Sequence, residues 1–329
     1  KKLIKKNKKS KQKRRVSKRI KQIKIKQQKQ TGGNGDPRSW DSFSDAMMGA
    51  ISHIVLEALR EYMGKDPVRS EIINCLLESN IDRRHIYIHK KTFDGFFWKE
   101  LYDIVEARHN KKQWKKKFDY SIIQNEVQKD FFRIISEFPD KRFHLFTAAN
   151  VPHKKQTHYQ TYIVDNHLPR KLYMIDPSRT EYGEEGIYDP YITNEVIKPL
   201  YEKMGYTTEW VETTSTCQKD ERDVFCQTWS LYLQIKTIEM LFLTGNVSRI
   251  RINPKLDDHY DELSIFMEKA MNCDVVRFKE IYIKTIRKRT LIGFISNRFN
   301  VNKKELVKKL KKLNPVEYVN HGLGTEYYI

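Results

Sequence analysis

The sequence predicts an α+β fold: a central mixed β-sheet packed on a buried helix that starts at Cys226, with helical regions added before and after. Three observations predict it. From Cys226 onward Trp229, Leu231, Leu233, Ile235, Ile238, Met240, Leu241 and Leu243 recur too densely for a surface helix, and no Gly or Pro interrupts before Gly245. Upstream, the runs 142–149, 157–165, 171–176 and 206–213 are rich in β-branched and aromatic residues, as strands require. Around them lie stretches with apolar residues at helical spacing.

The charge is unevenly placed. Residues 1–30 hold 16 Lys or Arg and no acid, so +16 of the net +20 sits there and +4 remains for residues 31–329. The reading for 1–38 is a basic disordered arm and linker, closed by Thr31-Gly32-Gly33-Asn34-Gly35-Asp36-Pro37. Such an arm suits non-specific nucleic acid, a targeting receptor or an acidic capsid surface. Over the whole chain 39% of residues are hydrophobic and 12% aromatic, enough to draw a core from, and no apolar run is long enough for a membrane span.

Residues 39–140 read as a helical N-terminal region. Trp40 to Met63 carries Phe43, Met47, Ile51, Ile54, Val55 and Leu59 on one stripe, with Ser39 or Asp41 as cap and Gly64 as stop. Pro67 opens a second helix in which Cys75 is a packing residue, and Tyr120 to Phe138 forms another. Residues 141–250 form the core, with Tyr191 to Met204 helical inside it. Residues 251–329 form a basic helical region packed on that core, with helices over 258–271, 275–286 and 302–313. The last is a basic amphipathic helix. Cys75, Cys217, Cys226 and Cys273 show neither metal-ligand nor disulfide-framework spacing, which points to a reducing compartment.

Cys226 closes a polar loop and opens the buried helix, where unpaired N–H groups and the helix dipole favour a thiolate. Asn166-His167-Leu168-Pro169-Arg170 is turn chemistry between two strands. A hairpin centred on His167 sets His158 opposite Asp176, within reach of a carboxylate–imidazole bond. A slip of one residue would put them on opposite faces. His144, His153 and His167 are rivals to His158, and Asp165 and Asn166 are rivals to Asp176. His158 alone stands on a strand before an aromatic and opposite an acid.

The order His158-Tyr159, Asp176, Gln218, then Cys226-Gln227-Thr228-Trp229-Ser230 resembles the adenovirus-type and SUMO-deconjugating cysteine peptidases. It is most similar to the branch carried by large DNA viruses. The resemblance covers about residues 140–245. Phe225 and Gln227 flank the cysteine where cellular members have Asp and Gly, and the gap from Gln218 to Cys226 is eight residues.

The resemblance implies a thiol peptidase with Cys226 as nucleophile, His158 as general base, Asp176 holding the imidazole and Gln218 as oxyanion donor. It implies cleavage of viral capsid or core precursor proteins during virion maturation, in the virion or the host cytoplasm, with the nucleus also open. No metal or other cofactor is expected, and activation by DNA or a peptide stays open. Expected partners are polypeptide substrates, capsid proteins, and nucleic acid through residues 1–30. Two alternatives remain: a deconjugating peptidase for a ubiquitin-like modifier, and a non-catalytic nucleic-acid- or capsid-binding protein on a decayed peptidase fold.

Overall fold

Residues 143–148 and 158–165 are buried except for the half-buried Tyr159, which needs a sheet with two covered faces, and the computed structural model contains one. It describes residues 45–78, 80–89, 121–150, 158–179, 192–217, 225–247, 249–252 and 256–318. The readings of residues 1–38 and of Gln218 lie outside these.

Five strands form one mixed sheet in sequence order: β1 (Ile86–Ile88), β2 (Phe143–Asn150), β3 (His158–Asp165), β4 (Lys171–Ile175) and β5 (Thr207–Trp210). The outer pairs β1/β2 and β4/β5 are parallel, and the inner pairs are antiparallel. Strand β1 was not foreseen. It is three residues long, too short for a period-2 pattern to register.

The two faces take different helices. Phe146, Tyr162, Val164, Leu172 and Met174 pack with Phe131 of α3 (Ser121–Glu137) and with Val196, Leu200 and Tyr201. The last three belong to a π-turn at Thr193–Ile197 and the short α4 (Lys198–Lys203) that continues it. The other face meets α5 (Cys226–Thr244), whose Trp229, Leu231, Leu233, Ile235, Ile238 and Leu241 are buried as their density requires. Phe143 of β2 meets Phe242 of α5 with ring centroids 5.1 Å apart. Gly245 ends α5 in the left-handed conformation at φ 70°, the backbone state in which a Cβ is costly.

The helices before and after the sheet pack on one another. Helix α1 (Asp45–Met63) lies against α7 (Val275–Arg287), α8 (Arg289–Phe299) and α9 (Lys303–Leu310). Tyr62 meets Phe278, and His53 meets Phe299, edge-on. Helix α8 is a correction to the sequence reading, which left 289–299 without an element. Its Thr290, Gly293, Ser296 and Asn297 are poor helix formers, and buried Ile292 and Ile295 hold it through packing instead.

The cysteines also correct the reading. Cys75 at the end of α2 (Asp66–Leu76) is bonded to Cys273, the last residue of α6 (Leu256–Cys273), with Cα atoms 5.9 Å apart. The partners are 198 residues apart in sequence, a distance at which no local spacing pattern exists. No described helix is long and apolar enough to cross a membrane.

Because so long a loop is closed, reduction of this bond is expected to destabilise the protein by roughly 2–5 kcal/mol. Thermal melts of the native protein and of C75S, each with and without reductant, check it. The native midpoint should fall to that of the variant, and the variant should ignore the reductant.

Candidate active site

The site forms where the first residue of β3 meets the first turn of α5. Helix α5 is fixed on β3 by polar contacts as well as by its apolar face. Ser230 Oγ donates to the Tyr159 carbonyl at 2.7 Å, and Thr161 Oγ1 donates to the Ser230 carbonyl at 3.2 Å. Gln234 Nε2, fully buried, reaches the carbonyls of Tyr162 at 3.0 Å and Phe146 at 3.1 Å. The helix begins without a side-chain cap, and the Trp229 N–H closes the first turn on the Phe225 carbonyl.

His158, Asp176 and Cys226 come together from three elements. His158 Nε2 lies 2.8 Å from Asp176 Oδ1, with both groups buried. A carboxylate only accepts, so Nε2 carries a proton there. The Cys226 side chain stands close enough to the imidazole to raise its affinity for a proton. Cys226 is 7% exposed and in no disulfide.

The hairpin register differs from the expected one. Thr161 pairs with Ile175 and Asp165 with Lys171, so the turn is centred on position 168 rather than 167. Extended one step, that register sets Gln160 across from Asp176 and His158 two residues further out. A shift of two residues keeps the face, so the histidine still reaches the acid, diagonally.

Gln160 is the residue the sequence reading missed. Its Nε2 donates to Asp176 Oδ2 at 2.6 Å, and its Oε1 accepts from Thr193 Oγ1 at 2.6 Å, with the Tyr162 hydroxyl 3.3 Å away. Ser178 adds its backbone N–H at 2.9 Å and its hydroxyl at 2.8 Å to Asp176 Oδ1. The Asp-Pro-Ser spacing, Asp176 to Ser178, was a visible signal: an Asp side chain commonly accepts from the backbone two residues on. For Gln160 and Thr193 the only available signal was the register.

Burial lowers the affinity of His158 for a proton, but the Asp176 carboxylate and the Cys226 side chain outweigh it and raise the pKa to about 9. Burial raises that of Asp176, and the His158 charge with the donors from His158, Gln160 and Ser178 brings it below the ordinary value. The pair is therefore ionic at neutral pH. The rival histidines differ. His144 is buried in β2 beside Tyr87 and Phe131 and is held neutral by burial, with its pKa lowered to about 4. His167 lies in the turn, and His153 lies outside the described residues. Asp165 is bound to Arg142 at 2.8 Å, away from the imidazole.

The α1–α2 corner closes in beside the cysteine. Thr228 Oγ1 contacts Met63 Sδ at 3.6 Å. A Cβ on Gly64 would come within 2.9 Å of Gln227 Oε1, so a glycine is what permits this approach. Among the described residues no group of three or more His, Cys, Asp and Glu could hold a metal ion. Compared with known proteins, the chain matches no protein-family model and no curated protein sequence.

Two pH effects follow. His53, lowered to about 4, and His89, lowered to about 3, join His144 in being neutral when folded, all three chiefly through burial. Unfolding lets them take up protons below about pH 6.5, so stability should rise with pH up to that point. His158 has the opposite sign: its contribution is complete below about 6.5 and is lost as pH climbs through about 9. Chemical denaturation across pH 4–10 should therefore give a maximum near neutrality. Histidine-ring NMR at pH 7.5 should find His158 doubly protonated and His53, His89 and His144 neutral.

Proposed function

We propose that the protein is a cysteine endopeptidase acting through Cys226, His158 and Asp176, with Gln218 as oxyanion donor. The observation that carries the reading is the connected, buried Cys226–His158–Asp176 arrangement at the start of a core helix. A cysteine that only packs has no need of an imidazole held by a buried carboxylate.

In this reading the Cys226 thiolate attacks the scissile carbonyl carbon and forms a C–S bond. The oxyanion is met by the Cys226 N–H at the helix start and by the Gln218 amide. His158 gives a proton to the amide nitrogen as the C–N bond breaks, leaving an acyl-enzyme and a free amine. Water then loses a proton to His158 as it attacks the acyl carbon, and the thiolate departs. Asp176 keeps Nε2 protonated and the ring fixed, as the third member of such a triad does.

The substrate class rests on the resemblance to the maturation peptidases of large DNA viruses: capsid or core precursor proteins, cut in the virion or the infected cytoplasm. The 16 cations of residues 1–30 support a role in holding the enzyme on packaged nucleic acid near those substrates.

Alkylation at mildly acidic pH tests the reading first. A small electrophile should label Cys226 selectively over Cys217, and His158→Ala should abolish the selectivity. Slow labelling of both alike would leave a decayed site. C226S should lose all cleavage, and Gln218→Ala should lose on the order of a hundredfold or more in rate. Cleavage of a capsid-precursor peptide but not of a ubiquitin-like tail would fix the substrate class, and the reverse result would replace it.

A further inference from the structure

Asp176 has two oxygens with different surroundings. Oδ1 receives His158 Nε2 at 2.8 Å, the Ser178 N–H at 2.9 Å and the Ser178 hydroxyl at 2.8 Å. Oδ2 receives Gln160 Nε2 at 2.6 Å, and among the described residues no other side chain donates to it. With every donor on one oxygen, a carboxylate turns easily about its Cβ–Cγ bond. A donor on the second oxygen fixes its plane, and the plane sets the direction in which Oδ1 holds the imidazole.

The amide of a glutamine can itself flip, which would turn its oxygen toward the carboxylate. Here the far end is also held. Thr193 Oγ1 lies 2.6 Å from Gln160 Oε1 and 2.6 Å from the Tyr162 hydroxyl. With the Thr193 proton given to Gln160, the Tyr162 hydroxyl supplies the proton between itself and Thr193. All four side chains are buried, so water cannot take over any of these bonds. Thr193 opens the π-turn Thr193–Ile197, a widened helical turn of a kind that recurs at functional sites.

We infer that Gln160 is a positioning residue for the His158–Asp176 pair, and that Thr193, at the start of the π-turn, holds its amide in the one orientation that works. Gln160 touches no reacting atom. It acts through Asp176, and the kinetic part of its test rests on the peptidase reading.

The test uses full-length Gln160→Met, Thr193→Val and Thr193→Ser proteins with two readouts. The first is the low-field proton resonance of His158 Nε2–H, identified by its loss in His158→Gln. The second is kcat and KM on a cleavable peptide. Gln160→Met should shift or broaden the resonance and lower kcat by about tenfold to a hundredfold with KM unchanged, the effect of losing one charge-assisted bond. Thr193→Val should do the same to a lesser degree, and Thr193→Ser, which keeps the hydroxyl, should match the wild type. A folded Gln160→Met protein with the wild-type resonance would overturn the inference. So would a Thr193→Val protein indistinguishable from wild type, which decides the matter if Gln160→Met does not fold. Should the wild type cleave nothing while the resonance responds as expected, the peptidase reading falls and the positioning role stands.

Discussion

The site depends on one docking contact, that of α5 on β3. Burial of apolar surface brings the helix to the sheet but does not choose its rotation, because the hydrophobic effect has no direction. The polar contacts choose it. Cys226, Ser230 and Gln234 are spaced by four residues, so they lie on one face of the helix. Ser230 and Gln234 bind the backbone at Tyr159, Tyr162 and Phe146. With those two fixed, the third member of the row falls beside His158, one residue before Tyr159. The nucleophile candidate is thus aimed by residues one and two turns further along.

Burial sets the second constraint. An ion pair removed from water loses solvation on both charges, and its mutual attraction offsets that loss only when the remaining lone pairs are also satisfied. Asp176 meets the condition with donors from Gln160 and Ser178 besides His158. The network therefore explains how a carboxylate 6% exposed remains charged beside a histidine with no exposed surface. It also separates Asp176 from Asp165, whose arginine partner lies near the surface at the far end of the same hairpin.

The sequence was legible where a periodic signal was long. Helix α5 was readable from its apolar density, and its first residue from the break in polarity at Cys226. The hairpin was readable from β-rich runs around turn chemistry. Its register was displaced by two residues, an even number, so His158 and Asp176 kept their shared face while Gln160 took the directly opposed place. Elements fixed only by tertiary context stayed hidden. Strand β1 has three residues, α8 is made of poor helix formers, and the cysteine bond joins positions 75 and 273.

The helices outside the sheet are tied to the site by contacts of their own. The α1–α2 corner reaches the start of α5 through Met63 and Gly64, against Thr228 and Gln227. Helix α2 is bonded covalently to the end of α6. Helix α6 returns to α5 through the hydrogen bond between Tyr232 and Glu262. Lys288 and Arg277 pair with Glu61 of α1 and Glu71 of α2, so the C-terminal helices hold the same corner from the outside. These exposed ion pairs are individually weak. The covalent bond and the buried α1 face are not. A fragment that begins at the sheet would keep the strand that bears His158 but lose the packing of the α1–α2 corner against the first turn of α5. The folded unit that positions Cys226 therefore extends from α1 to α9.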